Sequence, residues 1–221
     1  PLPTPSLMPT PSSNAMRYAW FVVALLFPVA LLNYLDRQLV ATMQKSIMGD
    51  VSGIRSQEQW GHMLAWFKWT YALASPFAGY VADRFGRRRV LFVSLFFYVL
   101  AAILCVYAPT FDLLIAARVF MGASAGGSRV IAVSAARDLY VGRQMAKVMS
   151  LVMIVFMVGP ILAPFMGQVL LQFMTWHGIF WVLAAFGVFM FLWVLIRLPE
   201  TLPPERRIPL NPRSMLRSYW Q

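Results

Sequence analysis

Six long apolar stretches, separated by short segments rich in charge, proline or glycine, constrain the fold of this chain more than any other feature. They lie at residues 18–40, 60–82, 90–108, 112–136, 146–173 and 176–197. A helix needs about 20 apolar residues to cross a bilayer, and none of the stretches alternates between apolar and polar residues as a half-buried strand does. The sequence therefore predicts an all-α polytopic membrane protein with six transmembrane helices.

The distribution of charge predicts how these helices are oriented. Only 12% of the residues are charged and the mean hydropathy is +0.65, whereas a soluble domain averages about 25% charged residues. The net charge of +11 is concentrated in alternate segments between or after the stretches, at residues 84–89, 137–147 and 206–217. Because basic loops stay on the cytoplasmic side of a membrane, we expect both termini in the cytoplasm, and nucleic acid is not an expected partner.

The segment between the second and third stretches combines glycines with charges of both signs. Its sequence is GYVADRFGRRRV, residues 79–90. Gly79 permits the close approach of a neighbouring helix, and Gly86 permits a tight turn. Asp83 and Arg87 can form charge-assisted hydrogen bonds at a helix end. The segment resembles the loop signature of the major facilitator superfamily, both in its residues and in its position between the second and third spans.

Later segments carry the same resemblance. RVFMGASAGGSR, residues 118–129, is similar to the arginine–glycine pattern of the family's fourth helix, and RLPETL, residues 197–202, to the exit from its sixth. VGPILAPFMG, residues 158–167, is similar to the glycine–proline signature of antiporter members, with Gln168 where a second glycine is usual. The first two stretches look like organic-anion and sugar-acid permeases, whereas residues 118–202 look like bicyclomycin/chloramphenicol-resistance drug:proton antiporters.

The resemblance implies how the chain is organised. It implies one half of a major facilitator fold, with a six-helix transmembrane domain at residues 16–199 and a truncated cytoplasmic linker at residues 200–221. Residues 1–15 are rich in proline and serine, so we expect a disordered tail or the remnant of a tag there.

The resemblance also implies a gate and a set of partners. Asp83, Arg87 and Asp138 would form a charge network that, together with Gly79, closes the outward-facing state on the cytoplasmic side. The expected partners are a small-molecule substrate, protons, the lipid bilayer, and either a second six-helix half or a second copy of the chain. The expected location is the bacterial inner membrane.

One carboxylate within the predicted spans is a candidate proton carrier. Asp36 stands against several cations there, and a charged side chain inside a span usually faces a cavity or a partner. Ion pairing favours the charged form of a carboxylate and desolvation favours the neutral form, so Asp36 is predicted to carry a proton and to pair with Arg118 when ionised. Proton-coupled relatives often have a second acid where this chain has Ala125, so Asp36 alone would serve.

The excess of cations predicts an anionic substrate. Arg37 is the first candidate ligand, and Asn33, one turn earlier on the same helix face, is a candidate beside it. Lys68 and Arg129 are the supporting candidates. No residue pattern suggests a metal site, a cofactor or an enzyme's catalytic group.

Three hypotheses remain open from the sequence. The first is a secondary transporter of small organic anions that works by alternating access. The second is a multidrug or antibiotic efflux transporter, supported by residues 118–202 and by the 15% aromatic content. The third is a truncated half without transport activity, or a membrane scaffold.

Overall fold

The computed structural model describes residues 28–29, 31–51, 53–54, 56–139 and 142–198. Within these residues the regular elements are helices, which confirms the predicted all-α class. Their bounds are 31–42 for α1, Gln44–Asp50 for α2, Gln57–Phe85 for α3, Arg87–Val106 for α4, Phe111–Leu139 for α5, Gly142–Phe173 for α6 and Trp176–Arg197 for α7.

Local signals explain where several helices begin and end. Ser56 and Gln59 form a capping box, in which each side chain accepts a hydrogen bond from the other's backbone N–H, so α3 begins three residues before its predicted start. Gly86 has a φ of +96°, a conformation that glycine adopts without strain, and it alone separates α3 from α4. This confirms the predicted turn at Gly86.

The structure corrects the sequence prediction at two places. The basic run that begins at Arg87 was expected in a loop, but it forms the first turn of α4, because the turn at Gly86 needs no further residues. The first stretch was expected to end at residue 40, yet helix continues through α2 to Asp50. Residues 1–15, 18–27 and 200–221, for which a tail, the start of the first span and a linker were expected, lie outside the described residues.

Close helix packing on both sides of α5 positions the side chains of the candidate site. Along α3, Phe67 lies against Gly122 of α5, Tyr71 against Gly126, and Gly79 against Val130. Because the residue numbers rise together on both helices, α3 and α5 run in the same direction. On another side of α5, Gly127 approaches Ser94 of α4, and α4 in turn packs against α7. Two of the described helices, α4 and α7, are long and apolar enough to cross a membrane by length and composition alone.

Candidate functional site

A buried ion pair joins α1 to α5. Nη1 of Arg118 donates a hydrogen bond of 2.7 Å to Oδ1 of Asp36, and the two side chains are 1% and 0% exposed. Nη1 of Arg118 also lies 3.2 Å from Sδ of Met121, one turn along α5. The predicted pairing of Asp36 with Arg118 is therefore confirmed as a contact, while proton transfer through it remains a prediction.

Two aromatic rings on α3 contact the arginines of α1 and α5. Phe67 and Tyr71 are one turn apart and stacked, with ring centroids separated by 6.3 Å. Cζ of Arg118 lies 4.1 Å from the ring centroid of Phe67, and Cζ of Arg37 lies 3.9 Å from that of Tyr71. Nη1 of Arg129 donates to the Tyr71 hydroxyl oxygen at 3.4 Å. We call these five residues, from three helices, the arginine–aromatic cluster.

Small residues on α5 permit this arrangement. A Cβ atom at Gly122 would lie 2.6 Å from the carbonyl oxygen of Phe67, and one at Gly126 would lie 2.6 Å from that of Tyr71. Both distances are shorter than a carbon atom tolerates, so only glycine lets α3 approach so closely here. The glycines of the fourth predicted span thus bring the aromatic rings of α3 within reach of Arg118 and Arg129.

A second polar contact joins α1 to α5. Nδ2 of Asn33 donates a 2.7 Å hydrogen bond to the hydroxyl of Ser128, which donates to the carbonyl of Ala125. Asn33 and Ser128 are 4% and 2% exposed, so this contact is buried like the ion pair. Since hydrogen bonds in an apolar interior stay strong, the Asn33–Ser128 bond fixes α1 beside the small residues of α5.

Lys68 is a predicted ligand that the structure does not bring into the cluster. Its side chain is exposed, although its neighbour Phe67 is buried. No contact between Lys68 and the cluster is found among the described residues. Consecutive residues on a helix point about 100° apart, which explains why Phe67 and Tyr71 face α5 while Lys68 does not.

The residues predicted to form a gate lie at the turn between α3 and α4. Nη2 of Arg87 donates to Oδ1 of Asp83 at 3.2 Å, and these side chains are 9% and 40% exposed. A Cβ at Gly79 would lie 3.3 Å from Val130 on α5, which matches the close helix approach expected there. The side chain of Asp138 lies outside the described part of the chain.

Sequence reasoning missed three residues of this region: Phe67, Tyr71 and Ser128. Aromatic residues in an apolar helix are usually attributed to packing or to interface anchoring, so the two that face arginines were not singled out. A four-residue spacing between Phe67 and Tyr71, matched to the glycines at 122 and 126, is the signal that could have identified them.

Comparison with known proteins decides the family. The family model of the Major Facilitator Superfamily matches residues 26–220, which is most of the chain. The chain belongs to the major facilitator superfamily. The resemblance inferred from the motifs is confirmed, and the family and its relatives are transporters.

Individual major facilitator proteins match part of the chain. The uncharacterized MFS-type transporter YdgK of Bacillus subtilis is 40% identical over 133 residues, which are 59% of this chain and 33% of YdgK. The bicyclomycin resistance protein homolog of Haemophilus influenzae is 31% identical over 164 residues, 74% of this chain and 41% of that protein. Each match therefore covers less than half of the relative.

A solved structure shows the same fold. The human organic anion transporter MFSD10 aligns with a TM-score of 0.67 at 21% identity, over 92% of this chain and 53% of that one. The described helices thus have the arrangement found in about half of a major facilitator protein.

Proposed function

We propose that this chain provides six membrane-spanning helices of a secondary active transporter for small organic anions. Both termini lie in the cytoplasm, and the helices lie in the inner membrane of a bacterium. The observation that carries the substrate class is the surroundings of Arg37. Its guanidinium group stacks on Tyr71, and among the described residues no carboxylate lies within ion-pair distance of it. Arg37 is therefore a cation that can bind a substrate carboxylate.

The aromatic rings of the cluster support an anion over a cation. A cationic drug binds best to an open aromatic face or to an uncompensated carboxylate. Here Phe67 and Tyr71 each have a face occupied by a guanidinium group, and Asp36 is bonded to Arg118. These contacts leave positive rather than negative charge for a ligand.

Proton coupling depends on the Asp36–Arg118 pair. When Asp36 is ionised, it holds α1 against α5 through Arg118. Protonation would neutralise the carboxylate and weaken its bond to the guanidinium group, since a charge-assisted hydrogen bond is stronger than a neutral one. The Asp36–Arg118 bond then forms and breaks with the protonation of Asp36 as the transporter alternates between its two open states. The Asp83–Arg87 pair acts at the cytoplasmic gate.

Drug efflux is the second candidate function. It is supported by the 31% identity to the bicyclomycin resistance protein homolog over 74% of the chain. In that case the same helices would export a neutral or cationic drug against protons, and the cluster would bind its polar groups. The two candidates differ in substrate charge, which can be measured directly.

Transport by the full-length protein in proteoliposomes separates the candidates. We expect uptake or release of radiolabelled gluconate under a pH gradient, and no movement of the cationic dye ethidium. Arg37→Ala should raise the KM for gluconate at least about 10-fold, since a hydrogen bond to a charged group is typically this strong. Lys45→Ala, which removes an exposed cation on α2 outside the cluster, is the matched control.

Each contrary result has a distinct meaning. Movement of ethidium without gluconate would replace the anion proposal by drug efflux. If neither compound moves, and a wider panel of carboxylates, sulfonates and cationic drugs also stays in place, the non-transporting half is the remaining hypothesis. An unchanged KM in Arg37→Ala would remove Arg37 from the substrate site.

A further inference from the structure

Tyr71 contacts two arginines through two different parts of its side chain. The ring face lies 3.9 Å from Cζ of Arg37 on α1, and the hydroxyl oxygen accepts a hydrogen bond from Nη1 of Arg129 on α5. Arg129 also makes another contact. Both guanidinium groups therefore contact one side chain, Arg37 at the ring face and Arg129 at the hydroxyl.

Tyr71 is well placed to keep this geometry. Its side chain is only 9% exposed, its ring is stacked on Phe67, and its backbone carbonyl is pressed against Gly126. A tyrosine held on three sides has few rotamers available, and an arginine stacked on it loses part of its own freedom before any ligand binds. Preorganisation of this kind lowers the entropic cost of binding.

We propose that Tyr71 is the positioning residue of the anion site, and that it brings Arg37 and Arg129 together on a single carboxylate group of the substrate. The inference rests on the proposed transport of organic anions. The ring orients Arg37 by stacking, and the hydroxyl orients Arg129 by hydrogen bonding. A planar carboxylate has two oxygens that can each accept from a guanidinium group, so two arginines that contact the same tyrosine can bind it together.

Three substitutions separate the ring from the hydroxyl. Tyr71→Phe keeps the stacking surface beneath Arg37 and removes only the acceptor for Arg129, whereas Tyr71→Leu removes both. Tyr80→Phe, on the same helix and half-buried, is the matched control for loss of a hydroxyl. With the full-length protein and radiolabelled gluconate, we expect KM to rise about five-fold in Tyr71→Phe, to rise further in Tyr71→Leu, and to stay unchanged in Tyr80→Phe. The kcat of Tyr71→Phe should stay within about two-fold of wild type.

A double-mutant cycle tests whether the hydroxyl acts through Arg129. If it does, Tyr71→Phe should raise KM about five-fold in the wild-type background but less than about two-fold in an Arg129→Gln background, since residues that act through one contact are not additive. Equal effects in both backgrounds, or a fall in kcat with KM unchanged, would overturn the positioning role.

A failure of the proposed function gives a different pattern. A wild-type protein that moves no anion would overturn the transport proposal and this inference together. A wild type that moves gluconate, with a Tyr71→Phe variant indistinguishable from it, overturns only the inference. If the Tyr71→Leu variant fails to fold, the positioning role is still tested, because the double-mutant cycle with Tyr71→Phe does not depend on that variant.

Discussion

Asp36 on α1 and Arg118 on α5 are joined by one hydrogen bond of 2.7 Å in a place where neither side chain reaches solvent. The second carboxylate oxygen of Asp36 and Nε of Arg118 have no hydrogen-bond partner among the described residues. The pair is therefore not the bidentate arrangement that gives arginine–carboxylate contacts their greatest strength. A buried pair held by one bond is easier to separate than a bidentate pair, which fits the proposed role of Asp36 in proton coupling.

The first prediction concerns coupling to protons. Asp36→Asn keeps the size of the side chain and removes its ability to ionise, so uptake of gluconate driven by a pH gradient should be lost while exchange of internal for external gluconate continues. Proteoliposomes assayed in both modes measure this difference. Asp112→Asn, an exposed acid at the start of α5, should leave both activities intact. If Asp36→Asn takes up gluconate under the pH gradient at the wild-type rate, Asp36 is not the proton carrier.

The second prediction concerns stability. Asp36→Ala leaves the charge of Arg118 buried without its partner, so we expect a loss of about 3–5 kcal/mol in the free energy of unfolding. Removing both charges, with Asp36→Leu and Arg118→Met together, should recover most of that loss, because an apolar pair of similar volume needs no compensation. Thermal unfolding in detergent, followed by tryptophan fluorescence, ranks the wild type, Asp36→Ala and the double variant by stability. A double variant less stable than Asp36→Ala would contradict this explanation.

The third prediction concerns the contact between α3 and α5. Gly126→Ala places a methyl group 2.6 Å from the carbonyl oxygen of Tyr71, so the helices must move apart, at a cost of about 1–3 kcal/mol. Gly61→Ala is the matched control on α3, where a Cβ meets no atom within 4 Å. Since alanine is a better helix former than glycine, the control should be neutral or more stable by up to about 1 kcal/mol. If Gly126→Ala and Gly61→Ala have the same unfolding midpoint, the close approach of the helices at Gly126 does not contribute to stability.

The all-α fold class and the Asp36–Arg118 ion pair could be predicted from the sequence. The fold class follows from local hydropathy, and the ion pair has few possible partners to choose from. Long apolar stretches leave few alternatives to helices, and a single carboxylate among buried arginines has few possible partners. The pairing of Asp36 with Arg118 was one of these few choices, and the 2.7 Å contact bears it out.

The role of the aromatic rings could not be predicted in the same way. Which of the aromatic side chains on α3 face α5 depends on the rotation of that helix, and this is set by the close contacts at Gly122 and Gly126. The apolar character of α3 extends around most of its circumference, with Trp66 and Trp69 exposed and Phe67 and Tyr71 buried. Hydropathy alone does not distinguish these two sides.

The fourth prediction tests the candidate ligand that the structure leaves exposed and outside the cluster. Lys68 is exposed on α3, whereas Arg37 lies against Tyr71. If the cluster is the substrate site, Lys68→Gln should change the KM for gluconate by less than about two-fold, within the range of an exposed charge, while Arg37→Gln raises it about 10-fold or more. Both variants lose one positive charge, so a general electrostatic effect would act on them alike. Equal increases in KM would therefore assign binding to the net charge of this region, and a larger increase in Lys68→Gln would move the substrate site to the exposed side of α3.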